Sequence, residues 1–170
     1  MARNNKKGKE KETKEELFWA DQIAKQIIER KKFHYTDKKI PKLDTFTVKT
    51  SASLSGVLHI GRLSDTIRGE SVVLALKDAG IKTNFIWVAE DMDPMRKIPK
   101  GVPKEYQKYL GMPVTDVPDP EGCHKSYAEH HVEEYMDVID NFVFTKLDKF
   151  SMREEYKKGN FKSYIKKILE

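Results

Sequence analysis

One strand–turn–helix unit constrains the fold more than any other stretch of the chain. Residues 45 to 50, TFTVKT, are β-branched and aromatic and predict a strand, and the small-residue turn SASLSG follows. A helical pattern then runs from about His59 to Ala79, with Ile60, Leu63, Ile67 and Leu74 as its expected buried stripe and Gly80 as its terminator. NFIWVAE predicts a second strand that stops at EDMDP. Residues 96 to 121 are rich in proline and lysine, with a short helical possibility at Glu105 to Tyr109; so long an irregular connection is usually functional or inserted. Beyond it, His124 to about Ile139 reads as helix, NFVFT (141 to 145) as a third strand, and Ser151 with Glu154 as the start of another helix. Strand alternating with helix implies an α/β fold with a parallel sheet, right-handed crossovers and ligands at the carboxyl ends of the strands.

Within that unit, SGVLHIGRLSDTIRG (55 to 69) spends two glycines on a helix. Each costs about 1 kcal/mol relative to alanine, so something must come close to the backbone at Gly61 and Gly69. The helix start lies where a strand hands over to a helix, and its N–H groups and positive dipole end face the expected crevice. A polyphosphate suits such a place: Gly56 lets the turn approach a ligand, Gly61 lets a flat base lie against the helix, and His59 can donate to phosphate oxygens. An isolated H-x-G is more often a histidine that satisfies its own local backbone, so the motif needs support from its surroundings.

Charge is concentrated at the amino terminus. The net charge is +5, and residues 1 to 14, with six Lys/Arg and two Glu, carry +4 of it. Residues 1–15 therefore read as a disordered basic tail and 16–170 as one domain with an irregular insertion at about 96–122. TKEE (13 to 16) has capping-box spacing with Thr13 as N-cap, and Ala20, Ile23 and Ile27 continue an amphipathic helix to about Arg30. One cysteine excludes an internal disulfide, and no run of roughly 18 apolar residues indicates a membrane span. With no signal-like segment either, a cytoplasmic protein is expected.

GCHKSYAEHH offers Cys123, His124, His130 and His131 as ligand types but contains neither a C-x-x-C pair nor H-E-x-x-H, and adjacent histidines on a helix point different ways. No metal ligand, and no zinc, is expected here. Cys123 is not expected to act as a nucleophile.

The run SGVLHIGR resembles the HIGH signature of class I aminoacyl-tRNA synthetases. WVAEDMDPMRKIPKGVP (87 to 103) and YLGMPVTDVPDPEGCHKSYAEHH (109 to 131) are similar, more specifically, to class I lysyl-tRNA synthetases, over roughly residues 17 to 170. That resemblance implies a Rossmann-like catalytic domain that joins lysine to ATP, with Mg²⁺, and passes it to tRNA(Lys). It implies that His59, Gly61 and Arg62 serve catalysis, and that Ser55 and Gly56 join His59 and Gly61 in holding ATP. It also implies that Ser53, Asp91, Asp93, Tyr127 and Glu129 border the lysine, leaving open which of Glu90, Asp91, Asp93 or Glu129 meets the ammonium. Arg96 and Lys97 are phosphate or tRNA-end contacts, or simply a solvated charge run.

Departures accompany the match. Arg62 stands where the general signature has histidine, no proline precedes the Ser-Gly pair, and neither a KMSKS loop nor an anticodon-binding region is present. NFKSYIKKILE still has an amphipathic pattern, with Phe161, Ile165, Ile168 and Leu169 near one face. The expectation is therefore the amino-terminal portion of a longer ligase, inactive alone and completed by the remainder of the synthetase. The alternatives are a non-catalytic synthetase-like binding fragment and a small nucleotidyltransferase.

Overall fold

The computed structural model describes residues 17–54 and 56–170, so the basic tail, the Thr13 cap and Ser55 lie outside the described residues. The strands are β1 (Phe46–Ser53), β2 (Thr83–Glu90) and β3 (Asp148–Ser151), and the helices are α1 (Trp19–Glu29), α2 (Ile60–Asp78), α3 (Tyr127–Phe142), α4 (Met152–Lys157) and α5 (Lys162–Leu169). The sheet is parallel with order β1-β2-β3; Phe46 stands opposite Thr83 through to Ser53 opposite Glu90, and Ile86 to Ala89 pair with Asp148 to Ser151.

Both connecting helices lie on the sheet face that carries Thr50, Phe85 and Trp87. A Cβ on Gly69 of α2 would come within 2.5 Å of Thr50 Cγ2 and 3.1 Å of Phe85, so this glycine lets helix and sheet touch. Tyr135 of α3 packs its ring 5.5 Å from Trp87, and its hydroxyl meets Thr66 Oγ1 of α2 at 3.0 Å. Consecutive parallel strands with same-handed crossovers require this one-sided arrangement. The main core joins Ala52, Leu54, Leu63, Trp87, Tyr127, Tyr135 and Ile139 to Met95, Val114 and Val117 of the irregular connection. A smaller cluster of Ala20, Ala24, Ala75 and Leu76 holds α1 on α2.

Four expectations change. The first helix begins at Trp19, after Leu17 and Phe18 and without a side-chain cap, because its anchors Ala20 and Ala24 define where packing starts. On α2 only Leu63 of the expected stripe is buried; Ile60, Ile67 and Leu74 are exposed, and the inward face is Leu63, Thr66, Glu70 and Val73. Two of those are polar yet satisfied, Thr66 by Tyr135 and Glu70 by accepting the N–H groups of Phe144 and Thr145 at 2.8 and 2.6 Å. Those same bonds explain the third strand. Asn141 and Phe142 finish α3, Glu70 takes the next free N–H groups, and DKFS (148 to 151) pairs with β2 instead of NFVFT. Finally, α3 starts at Tyr127, where Ser126 Oγ accepts the Glu129 N–H, three residues later than the pattern suggested.

The other elements match their signals. Gly80 ends α2 with its own N–H on Lys77 O (2.8 Å) and the Ile81 N–H on Leu76 O (2.9 Å). Ser151 caps α4 by accepting from Glu154 N, and a 3₁₀ turn occupies Lys104–Tyr109.

Candidate functional site

Leu54, fully buried, anchors the turn after β1, and α2 then begins at the carboxyl end of the sheet. His59 is the N-cap of α2, and its Nδ1 accepts the Gly61 N–H at 3.1 Å. With Nδ1 engaged as acceptor, the neutral ring carries its hydrogen on Nε2, an exposed donor beside the helix start. A Cβ on Gly61 would lie 2.8 Å from His59 Cε1 and 2.9 Å from Nδ1. The first demand on that glycine is thus room for the histidine ring itself. Local self-satisfaction and a role toward ligand coincide in one residue, since capping with one nitrogen aims the other outward.

Gly56 is half-buried above Tyr127, whose hydroxyl lies 3.8 Å from where a Cβ would stand. Tyr127 is buried, its ring edge-on to His131 at 4.5 Å, and burial pushes its phenol up to about 12, so it is a neutral hydroxyl under the turn. Arg62 instead lines a cleft of about 560 Å³ along the open edge of β1, with Lys49, Ser51, Arg68 and Glu90. Ser51 Oγ donates to Glu90 at 2.6 Å in that cleft, while Ser53 ends β1 opposite Glu90.

The acidic candidates are divided among clefts, with Asp91 and Glu129 lining one together. Asp91 is buried and accepts from Ser151 Oγ and, at 3.0 Å, from the Arg153 N–H, which makes it the anchor for the start of α4. Glu129 borders the same cleft, of about 690 Å³, and one of its oxygens accepts the Lys125 N–H at 3.1 Å. Asp93 lines a separate, smaller cleft with Met92 and Tyr156. Arg96 and Lys97 are exposed.

Asp119 joins three of the residues set aside above as metal ligands, Cys123, His124 and His130, in a four-residue cluster. Ligand atoms of Asp119, Cys123, His124 and His130 all lie within 4.8 Å of one another. Against the expectation that adjacent histidines point different ways, His130 and His131 share Glu134, at 3.5 Å from His130 Nε2 and 3.1 Å from His131 Nδ1, while His130 Nδ1 turns to Cys123 Sγ at 3.2 Å. His124 Nδ1 reaches the same sulfur at 3.1 Å, and the missing donor is an aspartate that a search for Cys and His pairs ignores. Asp119 organises the knuckle by accepting N–H groups of Glu121, Cys123 and His124 at 2.9 to 3.1 Å. Burial pushes its carboxyl up, yet those N–H groups and the Cys123 thiol outweigh it and hold it well below the usual range. Behind the ring nitrogens stand Glu133, on His124 Nε2, and Glu134, 3.5 Å from His130 Nε2. One oxygen, one sulfur and two imidazoles, with carboxylates behind the imidazoles, could hold a tetrahedral zinc ion. DPEGCHKSYAEH was the available signal: an aspartate four residues before the cysteine across a glycine turn.

Among the described residues, no helix is long and apolar enough to cross a membrane. The family model for tRNA synthetases class I (K) matches residues 17–170. Similar relatives are the lysine–tRNA ligases of Methanocaldococcus jannaschii, 33% identical over 91% of this chain, and Pyrococcus furiosus, 35% identical over 91%. That of Archaeoglobus fulgidus is 34% identical over 73%. The chain spans only 27%, 28% and 23% of their respective lengths.

Proposed function

The chain belongs to the class I (K) tRNA synthetases, and on that premise we propose that it is the nucleotide-binding part of a lysine–tRNA ligase. The observation that carries this reading is His59 at the start of α2, capping its own helix with Nδ1 and presenting Nε2–H at the carboxyl end of a parallel sheet. The small nucleotidyltransferase alternative falls with the family assignment. A purely binding fragment differs from the ligase in lacking a formed lysyl-adenylate site.

In the proposed reaction, lysine's carboxylate attacks the α-phosphorus of ATP and pyrophosphate leaves. A hydroxyl of the terminal adenosine of tRNA(Lys) then attacks the lysyl carbonyl and releases AMP. His59 Nε2–H and the free N–H groups of α2 face the phosphates, where a well-placed donor is worth about 2.7 to 4 kcal/mol in the transition state. Gly61 contributes by leaving the His59 ring its place, Gly56 lies in the turn beside it after Ser53 has ended β1, and Ser55 joins His59 and Gly56 in holding ATP. Mg²⁺ accompanies the ATP phosphates by charge. Asp91 spends its oxygens on Ser151 and Arg153 and serves as a positioning residue, which leaves either Glu129, in the cleft it shares with Asp91, or Asp93, in the separate cleft, to orient the ammonium. Tyr127 supports the turn from below, and Arg62 faces the β1 edge. The order β1-β2-β3 is one half of a doubly wound sheet, whose ligand crevice opens beside β1; the remainder of the synthetase would complete it along that edge. A cytoplasmic site of action follows for such a ligase.

Thermal unfolding with ATP and Mg²⁺, with lysine, and with a non-hydrolysable lysyl-adenylate analogue tests this reading. At a hundredfold excess over Kd, binding adds about 2.7 kcal/mol, several degrees for a domain this size. The expected result is a shift with the analogue that His59→Ala loses. No shift with any of the three ligands would remove the proposal for this chain.

A further inference from the structure

We propose that residues 96–110 form a rigid platform for RNA phosphates on the rim of the nucleotide crevice; the inference rests on the ligase reading and extends it to a surface. The loop is closed at its base. The Met95 N–H donates to Met112 O at 2.8 Å, the Gly111 N–H to Met95 O at 2.9 Å, and Pro94 pairs with Pro113. Its interior is filled by its own side chains, with Val102, Tyr106 and Tyr109 packed on the main core and the two tyrosine rings 5.2 Å apart. Proline-started turns stiffen it, with the Val102 N–H on Pro99 O and the Tyr106 N–H on Pro103 O. A compact loop packed on itself in this way is a common carrier of function.

Its outer rim is cationic. Arg96, Lys97, Lys100, Lys104 and Lys108 are all exposed, and Glu105 is the loop's one acidic residue. None of the five cations enters an ion pair among the described residues. Taking the tail's +4 and the loop's +4 from the chain's +5 leaves −3 for everything else. The loop is therefore a basic island on a net acidic body. Its cations are spread along the segment rather than converging on one point, which suits spaced phosphates better than a single nucleotide. The tyrosine pair and prolines hold them in place, so little ordering entropy is lost on binding. The loop also follows β2 at the carboxyl end of the sheet, the end at which α2 begins, so a polynucleotide delivering its 3′ end to that crevice would run its backbone over this rim.

Fluorescence anisotropy of a labelled hairpin RNA with a single-stranded 3′ end, titrated with the full chain across a salt series, tests the platform. The comparison is K100Q/K104Q/K108Q against K6Q/K7Q/K9Q in the tail. Among the described residues these loop side chains make no hydrogen bond, Lys108 resting on the Tyr109 ring at 4.9 Å, and unchanged melting of the free variants verifies that they fold. The loop variant is expected to lower the slope of log Kd against log salt by about 2 and to weaken binding about tenfold or more at low salt, with a smaller loss in the tail variant. An unchanged slope in the loop variant overturns the proposal, as does competition by polyglutamate as strong as by RNA of equal charge. The adenylate-analogue melt on the same proteins separates the two readings. RNA binding that depends on the loop without an analogue shift sinks the ligase reading alone; an analogue shift with loop-independent RNA binding sinks the platform alone.

Discussion

The helix start at His59 and the connection from Asp93 to Ser126 lie at the same end of the sheet but are held in opposite ways. The first is regular structure whose functional side chain is exposed and secured by one bond to its own helix. Its neighbours Val57 and Ile60 stand open, at 76% and 83% exposure. The second has almost no regular structure, yet Val114 and Val117 are fully buried and a buried carboxylate binds three backbone N–H groups. Regularity and fixity are thus separate properties. A backbone without helix or strand is fixed once its N–H groups have side-chain acceptors and its apolar residues reach the core.

The largest expected effect falls on the irregular side. Asp119→Ala removes three N–H bonds to a buried carboxylate, each worth about 1.5 to 3 kcal/mol as a bond to a charged group, so urea unfolding with chelator present should show a loss of about 3 kcal/mol or more. A loss below about 1 kcal/mol would break the contrast, because the connection would then not depend on that carboxylate. Next, Zn²⁺ at a hundredfold excess over its Kd should raise stability by about 2.7 kcal/mol, and Cys123→Ser should abolish the gain. On the regular side, Gly69→Ala sets two rules against each other. Helix propensity favours alanine by about 1 kcal/mol, but a Cβ 2.5 Å from Thr50 Cγ2 should produce a net loss of about 1 to 3 kcal/mol. A stabilised variant would mean that the helix–sheet approach is looser than described.

Two smaller effects sharpen the comparison. Tyr127, beneath the turn, titrates at about 12 when folded against 10.0 when exposed, so the folded state keeps a proton that the unfolded chain gives up. Stability is therefore full below pH 10.0 and falls as pH rises toward about 12, and Tyr127→Phe should flatten that part of the melting profile relative to wild type. His59→Ala should be the mildest for stability, about 1 kcal/mol or less in a thermal melt, because it removes a single helix cap. A large loss there would show that the helix start is integrated into the core after all.

Legibility followed the range of the physical signals. The capping serine and glutamate of α4, the Gly80 terminus and the first two strands depend on residues a few positions apart, and the pattern located them closely. Ile67 and Leu74 misled because which face of α2 turns inward is decided by partners about 70 residues away, Tyr135 for Thr66 and the N–H groups of Phe144 and Thr145 for Glu70. NFVFT misled for the same reason: β-propensity is weak, and Glu70 claimed its N–H groups first. The metal-type cluster stayed hidden because its oxygen donor is an aspartate, a residue type too common in loops to stand out.

What the letters of this chain settle alone is the alternation of strands and helices, the histidine–glycine helix start and the family to which they point. All of these are written in spacings of one helical turn or in motifs read in order. Only packing decides which α2 face is buried, which short segment becomes the third strand, and how Asp119 meets two histidines and a cysteine. The first two outcomes pair groups distant in sequence and the third depends on how a turn folds near neighbours together; in each, a buried polar group commits to whichever partner the fold places within hydrogen-bond reach.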